Sequence, residues 1–197
     1  NPPKLHGSSD PLPDRNRFLW IEVRRGNVTV QDRIRLESKD LLPYLGENHM
    51  LMVLRENRTR GRVKEVMGKI LMWIPYDADY EQRRILLEKW YRRQAEQLLS
   101  EKAAFYAERL GVSFADIRIK DQRSRWGSCS SKKNLNFNWR IIMAPEPVCD
   151  YVVIHEICHL RHMDHSREFW KEVEGLCPEY GQYKSWLKEK GGLLYPF

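Results

Sequence analysis

The sequence feature that most constrains the fold of this chain is the segment His155-Glu156-Ile157-Cys158-His159. Two histidines four positions apart lie on one side of an α-helix, so both imidazoles can reach a single zinc ion. Pro145 and Pro147 suit the first turn of that helix, and an apolar run follows them. Glu156 follows the first histidine, where it can take a proton from zinc-bound water. The segment therefore predicts a zinc site, with His155 and His159 as ligands and Glu156 as the catalytic residue.

The candidates for a third protein ligand lie downstream, and they are His162, His165, Glu168 and Glu172. His162 shares the helix face of His155 and His159, but a regular helix would place it about 10 Å along the axis from His155. His165 lies beyond Asp164, where the chain can turn and point the ring back. We therefore predict His165 as the third zinc ligand, in a tetrahedral site that keeps one position for water.

Composition and charge narrow the setting of the protein and its partners. No run is apolar enough to span a membrane, and no signal-peptide core is visible. The four cysteines form no CxxC pair, which argues against a zinc ribbon and favours a reducing compartment. The net charge of +7 could attract phosphates or acidic peptides, but the sequence contains no nucleic-acid-binding motif. We predict a cytoplasmic protein with no membrane partner.

Hydrophobic periodicity divides the chain into three parts. Residues 1–16 are rich in proline and predict a flexible lead-in. Residues 17–76 contain short apolar runs between turn signals and predict an antiparallel sheet, and residues 77–197 form the catalytic core. The predicted strand-like runs are Phe18–Val23, Val28–Val30, Ile34–Leu36, Met50–Leu54, Val63–Val66 and Ile70–Ile74.

A long helix is predicted next, from about Tyr80 to Leu110. Asp79 with Gln82 three positions later resembles a capping box, and Gly111 suits the end of the helix. Its apolar residues recur at helical spacing, which is typical of a stripe that faces the core. A second helix is predicted after the histidine segment, beginning at residue 167.

The run from Asn134 to Trp139 alternates strictly between asparagines and large apolar residues, which predicts a half-buried strand. We expect Phe137 and its apolar neighbours to face the core, and Asn136 and Asn138 to face the cleft. An exposed edge of this strand could bind an extended peptide, with both asparagines as substrate-binding residues. Their alternative role is to solvate a surface strand.

Three segments together resemble the YgjP-like zinc metallopeptidase family, which is similar to the WLM and SprT-like zincin proteases. They are Arg125–Cys129, His155–His159 and His165–Trp170. The resemblance extends from about residue 44 to residue 194. It implies an α+β fold with a zincin-like catalytic core, and zinc bound by the three histidines beside a catalytic Glu156. The family is mainly cytosolic, and no DNA-reading module like that of SprT proteins follows the core here.

These observations favour a zinc-dependent metallopeptidase that acts on peptides or proteins. The resemblance also carries an alternative, a metal-dependent pyrophosphatase that acts on nucleoside triphosphates such as UTP. The sequence contains neither a P-loop nor a Gly-rich phosphate-binding turn. A second alternative is a non-catalytic binding protein that zinc stabilises, although such a site would not require Glu156.

Overall fold

The described part of the chain comprises residues 34–197 of a computed structural model. It contains two small β-sheets and four α-helices, so the predicted α+β class is confirmed. The predicted lead-in of residues 1–16 and the predicted strands Phe18–Val23 and Val28–Val30 lie outside the described residues. Within residues 34–197, none of the helices has the length and apolar character needed to cross a membrane.

Four strands form the first sheet, in the order β1-β2-β4-β3. They are β1 Leu41–Tyr44, β2 Glu47–Glu56, β3 Arg62–Val66 and β4 Lys69–Pro75. The predicted runs that begin at residues 50, 63 and 70 lie within β2, β3 and β4. The predicted strand Ile34–Leu36 is wrong, because Leu36 has a φ of 58°, which is incompatible with extended backbone.

The prediction that this sheet is antiparallel throughout is wrong, because β2 and β4 pair in parallel, with Leu51 opposite Ile70. The reason is the burial of β4, whose Ile70, Met72 and Ile74 face the core. The chain forms the charged strand β3 at the sheet edge and then returns between β2 and β3 as β4. Charged residues suit an edge, and apolar residues suit the centre.

Helix α1, Tyr80–Leu110, follows the first sheet as predicted. The Asp79 side chain accepts a hydrogen bond from the Gln82 N–H at 2.8 Å, and the Asp79 N–H donates to the Gln82 side chain at 3.0 Å. Gly111 ends the helix with a φ of 68°, in the left-handed region that glycine favours. The Tyr91 hydroxyl donates to the Pro43 carbonyl at 2.7 Å and so ties α1 to the first sheet.

The second sheet has the order β5-β7-β6, with strands β5 Asp116–Lys120, β6 Gly127–Cys129 and β7 Asn134–Asn138. β7 pairs in parallel with β5 and antiparallel with β6. The prediction that β7 offers an exposed edge is therefore wrong. Its fully buried Leu135 and Phe137 fit the centre of the sheet as well as they would fit an edge.

After β7, a 3-10 helix, Trp139–Met143, leads into the helix that carries the histidine segment. The remaining elements are α2 Glu146–Cys158, α3 Arg167–Leu176, α4 Tyr180–Lys190 and a second 3-10 helix, Gly191–Leu194. Helix α2 packs against α1, α3, α4 and β6, and most of its residues are buried. One hydrophobic core joins α1, α2 and both sheets. The predicted division at residues 76 and 77 falls between β4 and α1 and stays a prediction.

Candidate metal centre

Three histidines meet at the C-terminal end of α2. His155 lies in the last turn of this helix, and His159 is its C-terminal cap. His165 precedes α3, whose N-cap Ser166 accepts a hydrogen bond from the Phe169 N–H. The Nε2 atoms of His155 and His165 are 3.1 Å apart, and one ligand atom from each histidine lies within 4.8 Å of the others.

The tautomer of His159 is set by a backbone contact. Its Nδ1 donates to the His162 carbonyl at 2.9 Å, so Nε2 carries no proton and is free to bind a metal. The His162 ring lies instead 3.4 Å from Glu172. His162 therefore contributes its backbone to the site, and its ring and Glu172 lie outside the three-histidine group.

Two aromatic side chains of α3 pack on these imidazoles. Phe169 stacks on His159, with ring centroids 4.5 Å apart, and Trp170 stacks on His165, with ring centroids 5.8 Å apart. Trp170 also stacks on Tyr180 of α4, at 5.2 Å. The aromatic pair that follows His165 in the sequence thus restricts the orientation of two of the three rings.

The imidazoles of His155 and His159 are held in the uncharged form that metal binding requires. Burial lowers the pKa of His155 to about 3, and the neighbouring His159, His165 and Lys184 act in the same direction. Burial also lowers the pKa of His159. The site offers three histidine nitrogen donors, and two nitrogen ligands of a tetrahedral zinc ion lie ~3.3 Å apart when each bond is ~2.0–2.1 Å. The donor set and its spacing fit zinc.

Glu156 lies beside the histidines and is 6% exposed. Burial raises the pKa of its carboxyl group to about 8, and the positive charge of Arg125 acts in the opposite direction. Its side chain lies against Gly127 of β6. The site therefore contains a buried carboxyl group with a raised pKa, which is typical of a residue that transfers protons.

An open cleft of about 320 Å³ runs along these residues. Its lining is Arg125, Gly127, Ser128, Cys129, His155, Glu156, His159, Met163 and His165. Neither Asn136 nor Asn138 belongs to this lining. Asn136 donates to the Ser128 hydroxyl at 3.2 Å, whereas Asn138 is fully buried and donates to the Gln122 carbonyl. The expectation that both asparagines face the cleft is wrong, because each is engaged within the protein.

The Arg125–Cys129 segment, which the sequence links to the site mainly through the family resemblance, forms one wall of the cleft. The N–H of Ser130 and the carbonyl of Trp126 bond to β7, at 3.0 and 2.8 Å. Backbone groups alternate in direction along an antiparallel strand, so those of Gly127 and Cys129 point away from β7. No described strand pairs with that side of β6. The free strand edge at the cleft therefore belongs to β6.

Comparisons with known proteins give a family match and partial matches to solved structures, among them two metallopeptidase zymogens. A family model described as YgjP-like, metallopeptidase domain, matches residues 15–190. The metallopeptidase zymogen abylysin of Pyrococcus abyssi is 21% identical, with a TM-score of 0.44, over 47% of this chain and 93% of its own. The metallopeptidase zymogen jannalysin of Methanocaldococcus jannaschii is 21% identical, with a TM-score of 0.38, over 44% of this chain and 93% of its own. No curated protein sequence matches the chain.

Proposed function

Because the chain belongs to the YgjP-like metallopeptidase family, we propose that it hydrolyses peptide bonds with a zinc ion held by His155, His159 and His165. The observation that carries this proposal is the three-histidine group beside the buried Glu156, in an open cleft. A zinc ion there would supply Lewis-acid chemistry, because it lowers the pKa of water towards neutrality and polarises a carbonyl group.

Glu156 is the proposed general base. Its carboxylate takes a proton from the attacking water and delivers it to the leaving amine. The raised pKa suits both steps, since a group with a pKa near the working pH accepts and releases protons readily. The Glu156 side chain is positioned for this role by α2, whose buried face fixes the backbone on which it stands.

The β6 edge is the proposed binding site for the substrate backbone. An extended peptide can pair with the outward N–H and carbonyl groups of Gly127 and Cys129 and so add a strand to the second sheet. Both residues line the cleft that also contains Glu156 and the histidines. Pairing on this edge would bring the backbone of the substrate next to the proposed general base.

Arg125 is the proposed stabiliser of negative charge on the substrate carbonyl oxygen. It lines the cleft, it is exposed, and no ion pair with another described residue neutralises it. Three other side chains near the site carry hydrogen-bond donors, but none of them lines the cleft: His162, Tyr180 and Tyr183. Removal of a preorganised hydrogen-bond donor from a water-excluded site lowers kcat by about 10²–10³-fold. An exposed donor such as Arg125 stabilises the transition state less, so its removal should lower kcat by a smaller factor.

We expect Arg125→Gln to lower kcat by about 10-fold, with a smaller change in KM and full metal content. Arg125→Lys keeps the charge and should lose less. Steady-state kinetics on a peptide substrate measures both parameters, and Arg123→Gln, an exposed arginine in the same loop, is the matched control. An unchanged kcat in the Arg125→Gln protein would exclude this role.

The family match favours a peptide or protein substrate over a nucleotide. The cleft contains one arginine, and the α1 arginines Arg84 and Arg92 are paired with Glu88 instead of lining it. All four cysteines are free thiols, which supports the proposed cytoplasmic location.

Metal removal tests the proposed function directly. The purified full chain is stripped with a chelator, reloaded with zinc, and assayed on labelled casein and on UTP in parallel. We expect casein cleavage to disappear with the metal and to return with stoichiometric zinc. UTP hydrolysis without casein cleavage would replace the peptidase proposal with the pyrophosphatase alternative, and zinc binding with neither activity would favour the binding protein.

A further inference from the structure

The Glu156 carboxylate is held in place by packing. Its side chain is nearly buried, and within residues 34–197 no N–H or O–H group donates a hydrogen bond to it. Its orientation is therefore determined by the neighbouring atoms that exclude other positions. The nearest wall of this kind is the backbone of β6.

Gly127 lies in direct contact with this carboxylate. A Cβ atom built on Gly127 would lie 2.6 Å from Oε1, 2.7 Å from Cγ and 2.9 Å from Cδ of Glu156. Carbon atoms in ordinary van der Waals contact are ~3.5–4.0 Å apart. Since Gly127 does not adopt a left-handed φ, the space that Glu156 occupies, and not the backbone conformation, excludes a side chain there.

Neither backbone at this contact can easily move. Gly127 pairs with Phe137 of the central strand β7, and Phe137 is fully buried. Glu156 stands on α2, which packs into the core on several sides. The Glu156 side chain is the part that can move, so a methyl group on residue 127 would displace the carboxylate while the fold persists.

We propose that Gly127 is the positioning residue for Glu156: the missing side chain in β6 creates the space that directs the carboxylate into the cleft. This inference rests on the proposed role of Glu156 as general base. Gly127 would then have two roles: its outward backbone groups pair with the substrate, and its missing side chain leaves room for Glu156.

A double-mutant cycle tests the contact. The four proteins are the wild type, Gly127→Ala, Glu156→Ala and the double variant, each loaded with zinc, and the first two are also assayed on labelled casein. Gly127→Ala should keep its zinc and lower kcat at least 10-fold, with a smaller change in KM, because a misplacement of about 1 Å can cost ~10²-fold. Glu156→Ala removes Cγ, Cδ and Oε1, the three atoms that the new methyl group would meet.

The size relationship predicts a strong coupling between the two positions. The clash exists only when the Glu156 side chain is present, so the effect of Gly127→Ala should disappear in the Glu156→Ala background. The matched control is Gly175→Ala, because Gly175 is exposed and a Cβ atom there meets nothing within 4 Å. That variant should match the wild type in kcat, and its Tm should not fall, because alanine favours a helix such as α3 more than glycine does.

Melting temperatures of the four proteins measure this coupling without a substrate. Gly127→Ala should lower Tm in the wild-type background and should not lower it in the Glu156→Ala background. If Gly127→Ala alone fails to fold, recovery of folding in the double variant supports the contact, and its continued absence overturns it. Equal effects of Gly127→Ala in both backgrounds, or a wild-type kcat and Tm in the single variant, would also overturn the inference.

The activity of a Glu156→Gln protein tests the proposed function separately from the contact between Gly127 and Glu156. An active, metal-loaded Glu156→Gln protein contradicts the general-base role and leaves the Tm cycle free to report the contact. An inactive Glu156→Gln protein combined with an uncoupled cycle contradicts the role of Gly127 alone.

Discussion

Glu156→Gln lowers the turnover of a peptide substrate by about 10²-fold or more and leaves the zinc content stoichiometric. Glutamine keeps the size and shape of the side chain that lies against Gly127, but its amide cannot accept the proton of the attacking water. A 10²-fold loss corresponds to about 2.7 kcal/mol of transition-state stabilisation. Metal analysis and steady-state kinetics on one preparation separate binding from chemistry.

The control for this variant is Glu174→Gln, which removes a carboxylate from an exposed position of α3. It should retain wild-type turnover, zinc content and melting temperature. Wild-type turnover in a fully metal-loaded Glu156→Gln protein would contradict the general-base role, for a peptide substrate and for a nucleotide substrate alike.

His155→Ala, His159→Ala and His165→Ala should each lower the affinity for zinc by more than ~100-fold, because loss of an outer hydrogen-bond partner alone costs 10–100-fold. Each variant removes one of three nitrogen donors from a group that spans 4.8 Å. We expect the purified variants to contain little zinc and to show no hydrolysis. Competition with a chromophoric chelator measures the affinities.

His162→Ala is the matched control for the ligand series. The His162 carbonyl accepts the Nδ1 proton of His159, and alanine keeps that carbonyl. Zinc affinity should therefore change far less than in the other three variants. Full zinc content in His165→Ala together with zinc loss in His162→Ala would reverse the assignment of the third ligand.

The helices could be predicted because their signals are local. Asp79 and Gln82 are three residues apart, and their reciprocal hydrogen bonds form as the sequence indicates. Ser166 caps α3 by accepting a single hydrogen bond from the Phe169 N–H. The proximity of His155, His159 and His165 also follows from short-range spacing, since one turn of α2 and one reversal of the chain bring the rings together.

The strand partners could not be predicted, because alternation shows which face of a strand is buried and does not show what lies beside it. Asn138 illustrates the difference. It alternates with buried apolar residues as a solvent-facing side chain would, yet it donates to the Gln122 carbonyl and lies 3.3 Å from the Tyr195 hydroxyl. Those partners are 16 and 57 residues away in the sequence.

The proposed role of Gly127 could not be predicted either, because the sequence does not show which residue of another element lies beside it. Its sequence neighbours indicate a turn or a close backbone approach, but the group that approaches it is Glu156, which stands on another element. A glycine next to a tryptophan gives no clue to which side chain occupies its space. That information exists only once β6 and α2 are packed together.

The division of the histidines between two helices links zinc capture to the docking of α3. His155 and His159 belong to the deeply buried α2, whereas His165 precedes α3, which buries only Phe169 and Val173. With the proposed ligands, the ion would act as a cross-link between a fixed helix and a lightly anchored one. By thermodynamic reciprocity, a zinc ion bound there would stabilise the packing of α3 by the same free energy by which that packing would strengthen zinc binding. Loss of the ion would then weaken the attachment of α3 to the core.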